Sequence, residues 1–236
     1  MTGARAVGGG STGLEIRDLQ LADTRASASI HHEVLGMEFL SRFGPGFLAA
    51  YHGAWVRSPA GLALAAVDGD GRLVGLMLGS LDPAAHYRWM LRQAGPGLAV
   101  RLAGRAVLDP PLARDLIVTR GARYARGVWR HLANRRGRAA AGAAGTEPAD
   151  QETDPGPPVG EITHLMVASS GQGTGAGRAL VAETEARARS AGIEELVLVT
   201  PPDLDARGFY NHLGWVEEGD MSSRSGESFI RFRRRL

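Results

Sequence analysis

The chain has 236 residues, no cysteine, and 27 basic against 25 acidic side chains; every basic residue is arginine, and lysine is absent. Those two absences remove disulfides, thiolate nucleophiles, Cys-ligated zinc, Schiff bases and any phosphate loop that depends on lysine. A length of 236 and a hydrophobic content of 44% suit one globular domain carrying an insertion, and no apolar run approaches the roughly 20 residues that span a bilayer.

Residues 1–13 are rich in Gly and small side chains and lack the apolar region of a secretory signal, which predicts a disordered leader on a cytoplasmic protein. Residues 14–236 then read as a single domain. Leu14 and Ile16 alternate with Glu15 and Arg17 as a short first strand. Asp23 is expected to cap a helix with Ile30 and Val34 on one face, and Pro45 to open a second helix carrying Phe47, Leu48, Tyr51 and Trp55. Leu62–Val67 and Leu73–Leu78 form the arms of a hairpin turned at Gly69-Asp70-Gly71.

Residues 82–138 differ in character. They hold 12 Arg and three acids, Asp82, Asp109 and Asp115, a net +9 that leaves −7 for the rest of the chain. They read as a helical insertion broken at Gly95-Pro96-Gly97 and Pro110-Pro111. Residues 139–160 turn to Ala, Gly, Pro and the unpaired acids Glu147, Asp150, Glu152 and Asp154, the composition of a disordered loop.

From Glu161 the pattern is regular again. Ile162–Val167 is a strand, Gly171–Gly177 a glycine-rich loop, and Arg178–Ser190 a helix with Glu183–Arg187 and Glu185–Arg189 in the favourable i,i+4 order. Leu196–Thr200 is a nearly all-apolar, buried strand. Ala206, Phe209, Tyr210 and Leu213 share a helical face that Gly214 closes, and Phe229–Arg233 makes a last strand.

Backbone N–H groups around Gly173, Gly175 and Gly177 can converge on a phosphate, helped by the positive end of the following helix. Gly171-Gln172-Gly173-Thr174-Gly175-Ala176 also fits a dinucleotide fingerprint, but the acid that would bind ribose at the end of the next strand is Thr200 here. A second context fits better. Leu165-Met166-Val167 followed by Gln172-Gly173-Thr174-Gly175-Ala176-Gly177 resembles the acetyl-CoA signature of the GNAT N-acetyltransferase superfamily. Asp203 to Trp215 resembles that superfamily's second signature, with Asp203 in place of Asn and Trp215 in place of Phe. The resemblance covers Glu161 to about Gly219, is compatible in element order from Leu14 to Ser80, and leaves residues 82–160 unexplained.

It implies an α/β (α+β) fold: a GNAT-like mixed, mostly antiparallel sheet flanked by helices, with the helical insertion between the third and fourth strands. It further implies an acyltransferase using acetyl-CoA as co-substrate; the scatter of the histidines predicts no metal. Strands Ile162–Val167 and Leu196–Thr200 would splay apart to admit the pantetheine arm, contacted by Leu165, Met166 and Val167. The pyrophosphate would sit on Gln172, Gly173, Thr174, Gly175, Ala176 and Gly177, with Arg178 and Asp203 beside it. Tyr210 would contact the cofactor and protonate the departing thiolate, although a core aromatic is the plainer reading of its apolar face.

The base expected for an amine acceptor is not evident. Thr163 occupies the position where many relatives carry Glu, leaving His164 and Glu161 as the nearby titratable groups; Thr163 and His164 should face opposite sides of the strand, and a water relay would also serve. His31-His32-Glu33 reads as a solvated helix turn, with Glu33 or Glu38 able to line the acceptor site, and the remaining histidines read as scattered. The Arg-rich insertion, with Tyr87, Trp89 and Trp129 interleaved, reads as a lid over the first two helices. A solvated helical face is the plainer reading; as a partner surface it suits a small-molecule or carrier-linked amine acceptor with anionic character better than nucleic acid, and is compatible with membrane-surface contact, while a homodimer is a further expectation for the chain. A non-catalytic CoA- or anion-binding module that engages a partner through this insertion is the alternative from another class.

Overall fold

The computed structural model describes residues 13–37, 39–109, 111, 114, 158–202, 206–222 and 228–236. Residues 1–102 and 157–236 belong to one compact unit and residues 103–156 to a second. The leader, most of the Arg-rich insertion beyond Asp109, and nearly all of the acidic stretch lie outside the described residues.

The first unit is built on a seven-stranded sheet of order β1-β2-β3-β4-β5-β7-β6. The strands are β1 (Glu15–Asp18), β2 (Gly61–Val67), β3 (Leu73–Ser80), β4 (Val159–Val167), β5 (Glu195–Thr200), β6 (Val216–Ser222) and β7 (Ser228–Arg235). Among the described strands only β4 and β5 run parallel; the other pairings are antiparallel. Both sheet faces are covered where β2 lies, so its side chains divide between two cores. Leu62, Leu64 and Ala66 face one cluster, which includes Leu180, Val181 and Phe232. Ala63, Ala65 and Val67 face the other, with Ile30 and Trp55.

Among the described residues the helices are α1 (Thr24–Val34), α2 (Pro45–Arg57), α3 (Pro83–Trp89), α4 (Gly95–Leu108), α5 (Ala176–Ser190) and α6 (Arg207–His212). Helices α1 and α2 pack on the Trp55 side of the sheet, and α5 on the Phe232 side. Asp23 does not cap α1 as expected. Its carboxylate accepts from Arg17 at 2.6 Å and from the Gln20 N–H at 2.8 Å, closing the turn that precedes the helix. Asp82 does cap α3, accepting from the Ala85 N–H at 2.8 Å. His86 fastens α3 to α2: its ring stacks on Trp55 at 3.8 Å and its Nδ1 meets Ser58 Oγ at 2.9 Å.

The helix break expected at Gly95-Pro96-Gly97 does not occur. Met90–Ala94 forms a π-turn in which the Gly95 N–H donates to the Met90 carbonyl, and α4 follows without interruption. Pro96 is the second residue of α4 and donates to no carbonyl of the turn before it. The acidic loop is also shorter than composition suggests. Val159 and Gly160 already pair in parallel with Glu195 and Leu196 as the start of β4. In the second unit the described residues are the end of α4 and a few that follow, with Arg105 and Asp109 paired at 3.9 Å on its surface.

Strand β6 is not foreseen from sequence, because Val216-Glu217-Glu218-Gly219-Asp220 has no alternation to reveal it. Its position comes from pairing with β7, from Val216↔Arg233 to Ser222↔Ser228. The outward row of β7 is neutralised locally. Arg231 and Arg233 pair with Glu218, Arg233 also pairs with Glu195, and Arg235 reaches Glu195 at 3.4 Å.

Candidate active site

Strands β4 and β5 pair at only four positions, Val159↔Glu195 to Ile162↔Leu198. Beyond them β4 continues to Val167 and β5 to Thr200 without pairing to each other, so the sheet opens between these strands from Thr163 onward. On its other edge β4 stays bound to β3, and the Ala168 N–H donates to the Val74 carbonyl at 2.9 Å. Backbone groups alternate between the two edges of a strand. Met166 therefore faces β3 with its backbone, and its side chain is fully buried. Leu165 and Val167 are the residues whose N–H and C=O face the gap. Of the three apolar residues expected to contact the cofactor, these two offer backbone groups and Met166 offers none.

At the end of β4 the chain makes a short 3-10 turn over Ser169–Gly171 and then the glycine loop. Gly173 (φ +75°) and Gly175 (φ +88°) are both left-handed, a conformation that a Cβ penalises, and no atom lies within 4 Å of where a Cβ would stand. Glycine serves the backbone angle here and leaves the space in front of the loop open. Thr174 Oγ1 donates inward to the Gly171 carbonyl at 2.6 Å and fixes the turn. Gly175 is the N-cap of α5, so no side chain caps the helix. The first-turn N–H groups of Ala176, Gly177 and Arg178 have no partner inside a helix and point out of its positive end. Gln172 and Arg178 are exposed beside them. An open, glycine-lined concavity of backbone donors fits a pyrophosphate. Asp203 and Asp205 lie outside the described residues.

The strand β4 contains a bulge that sequence reading missed. Leu78 pairs with His164 while Gly79 pairs with Ile162, so Thr163 is an extra residue. Gly79 is required opposite it, since a Cβ there would lie 2.5 Å from the Glu161 carbonyl oxygen. The bulge resets the alternation. Ile162, Leu165 and Val167 pack on the α5 side. His164 turns to the α1–α2 side, where its Nε2 lies 3.2 Å from the Tyr51 hydroxyl and its ring 5.2 Å from that of His31. Glu161 shares that face, accepting from the Tyr87 hydroxyl of α3. Burial pushes the Glu161 carboxyl up, partly opposed by its hydrogen bonds from Thr163 and Tyr87. His164 and Glu161 are thus brought to one side of the sheet, each half-buried.

Two expectations about histidine need correction. His31 is fully buried, whereas His32 and Glu33 beside it are exposed. The histidines are also gathered: His31 Nδ1 meets His52 Nε2 at 2.9 Å, and His52 Nδ1 meets Ser27 Oγ at 2.7 Å. Adjacent helical residues point about 100° apart, so a paired His-His motif splits between core and solvent. Burial, with His31 and His164 nearby, pushes His52 down to about 3, so it is neutral at physiological pH. Among the described residues no group of three or more His, Asp or Glu side chains is arranged to hold a metal.

Glu33 accepts from both the N–H and the hydroxyl of Ser169, which ties α1 to the start of the glycine loop. That contact holds Glu33 in a bracing position. Glu38 lies outside the described residues. Tyr210, on α6, packs among Phe209, Trp215 and Phe232, and burial pushes its hydroxyl up. Its neighbour Phe209 touches the position a Gly177 Cβ would take, at 3.3 Å, so α6 is packed against the start of α5.

The profile of the Acetyltransferase (GNAT) family matches residues 109–215, which include β4, the glycine loop, α5, β5 and α6. No curated protein sequence matches the chain. Among solved structures, SsHAT is similar at 18% identity, covering 94% of this chain and 98% of its own, with a TM-score of 0.58. A chimera of spermidine N-acetyltransferase SpeG from Vibrio cholerae and hSSAT is similar at 13% identity over 94% of this chain and 95% of its own, TM-score 0.54. A GCN5-related N-acetyltransferase from Kribbella flavida is similar at 16% identity over 95% and 98%, TM-score 0.50. At such identities the structural likeness establishes the fold.

Proposed function

We propose that this chain, which matches the GNAT acetyltransferase family over residues 109–215, transfers acetyl from acetyl-CoA directly to a primary amine of a small molecule or carrier-linked acceptor. It is an acyltransferase; the donor, the acceptor and the residue roles are our reading. The observation that carries the reading is the end of β4–β5 pairing at Ile162 and Leu198, just before an uncapped helix start. That gap has free backbone groups along one wall and a nest of N–H donors at its end, the two features a pantetheine–pyrophosphate ligand needs.

Gln172 to Gly177, with Arg178 and Asp203, hold the pyrophosphate. Leu165 and Val167 bind the pantetheine arm through their backbone, and an N–H of this strand polarises the thioester carbonyl. The amine lone pair forms the new N–C bond, and the C–S bond breaks with its electrons left on sulfur. The amine proton is lost to the Tyr51–His164 pair, and the thiolate gains one from the Tyr210 hydroxyl. Burial keeps Tyr210 in its neutral, proton-donating form at physiological pH. Glu161 receives the acceptor's ammonium group before deprotonation. Its half-buried carboxylate supports a cationic amine, the class to which the substrate of the spermidine N-acetyltransferase belongs, over the anionic acceptor suggested by the Arg-rich insertion.

Titration calorimetry with acetyl-CoA, followed by an assay of CoA release over a panel of polyamines and monoamines, tests this reading. One saturable site and amine-dependent release are expected. Absence of saturable binding, or release that no amine stimulates, contradicts it.

A further inference from the structure

The first unit holds a cavity of about 390 Å³ bounded by α2, the end of α3, the π-turn and the first half of α4. That volume lies within the roughly 300–1,000 Å³ of small-molecule sites. The cavity shares no residue with the β4–β5 gap, with the glycine loop, or with the face that carries His164. Ala54 and Arg57 of α2 belong to one wall. Trp89, Gln93, Gly97 and Arg101 belong to the other, and they follow one another at intervals of four, along one side of the helical run. The stacking of His86 on Trp55 holds α3 on α2 and so fixes the spacing of the walls. Gln93 enters from the π-turn, a local widening of the helix that is frequent at functional sites.

The charge of this cavity is one-sided. Two guanidiniums line it and no carboxylate does. On the sheet and on α5, arginines meet acids: Arg17 pairs with Asp23, Arg187 with Glu183, and Arg231 with Glu218. Among the described residues neither Arg57 nor Arg101 has a carboxylate partner. Arg57 is also given room. A Cβ at Gly53, one helical turn earlier, would stand 3.3 Å from Arg57 Nη1, so the guanidinium lies back along α2 in space that glycine leaves free. Glycine inside a helix is unfavourable relative to alanine.

Guanidinium groups bind carboxylate and phosphate oxygens through parallel pairs of N–H bonds. Two like charges at one cavity repel, and a bound anion removes that repulsion. The Gln93 amide adds a donor and an acceptor, and Trp89 adds a flat apolar surface. We propose that this cavity binds a small oxyanion, a phosphate monoester or a carboxylate on a flat apolar body, held by Arg57 and Arg101 and resting against Trp89. Arg57 lies outside the Arg-rich insertion and Arg101 inside it, so here the basic character of that segment serves a second ligand and not the amine acceptor. The site stands whether or not the chain transfers acetyl groups.

Calorimetry on the full chain tests the site, with phenyl phosphate and benzoate as probes, inorganic phosphate for comparison and phenol as the neutral control. One saturable site is expected for at least one aryl anion, and the tighter of the two identifies the head group. Inorganic phosphate is expected to bind more weakly and phenol not to bind. Arg57→Gln and Arg101→Gln should each weaken the tighter probe by about tenfold or more, the loss expected for a charge-assisted hydrogen-bonded pair. Gly97→Leu adds a side chain where a Cβ meets no atom within 4 Å, so it occupies the cavity without a clash. It should weaken the probe by a similar factor with no fall in the thermal unfolding midpoint. Probe affinity should be the same with and without CoA. Absence of saturable binding by either aryl anion, affinity that both arginine variants leave unchanged, phenol binding as tightly as the anions, or displacement of the probe by CoA would each overturn the proposal. A protein that binds the probe through both arginines but does not bind CoA keeps this site and loses the acetyl-transfer reading.

Discussion

The two sides of β4 are constructed from different materials. Toward β5 the site is backbone: the open edges of Leu165 and Val167, then a glycine loop with left-handed Gly173 and Gly175 that leads into an uncapped helix start. Toward α1 and α2 it is side chain: His164 and Glu161 on one strand, met by Tyr51, His31 and Tyr87 from three helices. A backbone site accepts any ligand of the right shape and charge and depends on conformation. A side-chain site selects by chemistry and depends on packing between distant segments. Damage to the first should abolish donor binding, and damage to the second should spare the donor and impair turnover.

The largest effect is expected at the loop. Gly175→Glu forces a Cβ onto φ +88° and sets a carboxylate where the pyrophosphate belongs. Acetyl-CoA affinity by calorimetry should fall by about a hundredfold or more, as expected for a repelled anion at a helix start. Next comes His164→Gln, which should lower kcat by about a hundredfold while leaving the acetyl-CoA Kd within a factor of about two. An equal loss of donor affinity would erase the contrast between the two sides. Tyr210→Phe should lower kcat by about ten- to a hundredfold with donor binding retained. A folded, CoA-binding protein that never turns over any amine would favour the non-catalytic module instead.

Gly79→Ala probes the bulge that joins the two sides. The added methyl meets the Glu161 carbonyl at 2.5 Å, and forced overpacking of this kind costs about 1–3 kcal/mol, readable by urea denaturation. The same variant should displace His164 and Glu161 and so lower turnover more than donor affinity.

The smallest effect is on the pH dependence of stability. Burial pushes His52 down to about 3 and His86 to about 4, from the ordinary histidine value of 6.5. In the unfolded chain both take up protons near that ordinary value, while in the fold they stay neutral. The unfolded state therefore binds more protons below about pH 6.5, and the stability present above that value is lost as pH falls toward 4. Unfolding free energy measured across this range should drop with acidity, and His52→Gln should reduce the steepness.

The legibility of the molecule follows the same division. The donor side lies in one contiguous stretch, from β4 through the glycine loop to α5, and glycine spacing plus helical pairs such as Glu183–Arg187 (2.8 Å) are enough to read it. The hairpin and the entry of α2 at Pro45 are legible for the same reason: each is a local signal. The acceptor side is not. Thr163 gives no sign of being an extra residue, because a bulge is a property of pairing with β3 and its glycine partner lies 84 positions earlier. His31 and His32 look alike in sequence and differ only in which faces the core. Strand β6 has no alternation, and only β7 reveals it. The π-turn before Pro96 shows that a Gly-Pro-Gly run can be absorbed when helix geometry changes one turn earlier.

The most direct test of the central claim is a crystal structure with bound CoA. The account predicts pantetheine amides hydrogen-bonded to the backbone of Leu165 and Val167, the pyrophosphate on the N–H groups of Gly173 and of Gly175 to Gly177, and the sulfur directed toward the face that carries His164. A CoA molecule bound outside the β4–β5 gap, or one whose sulfur faces away from His164, would contradict it.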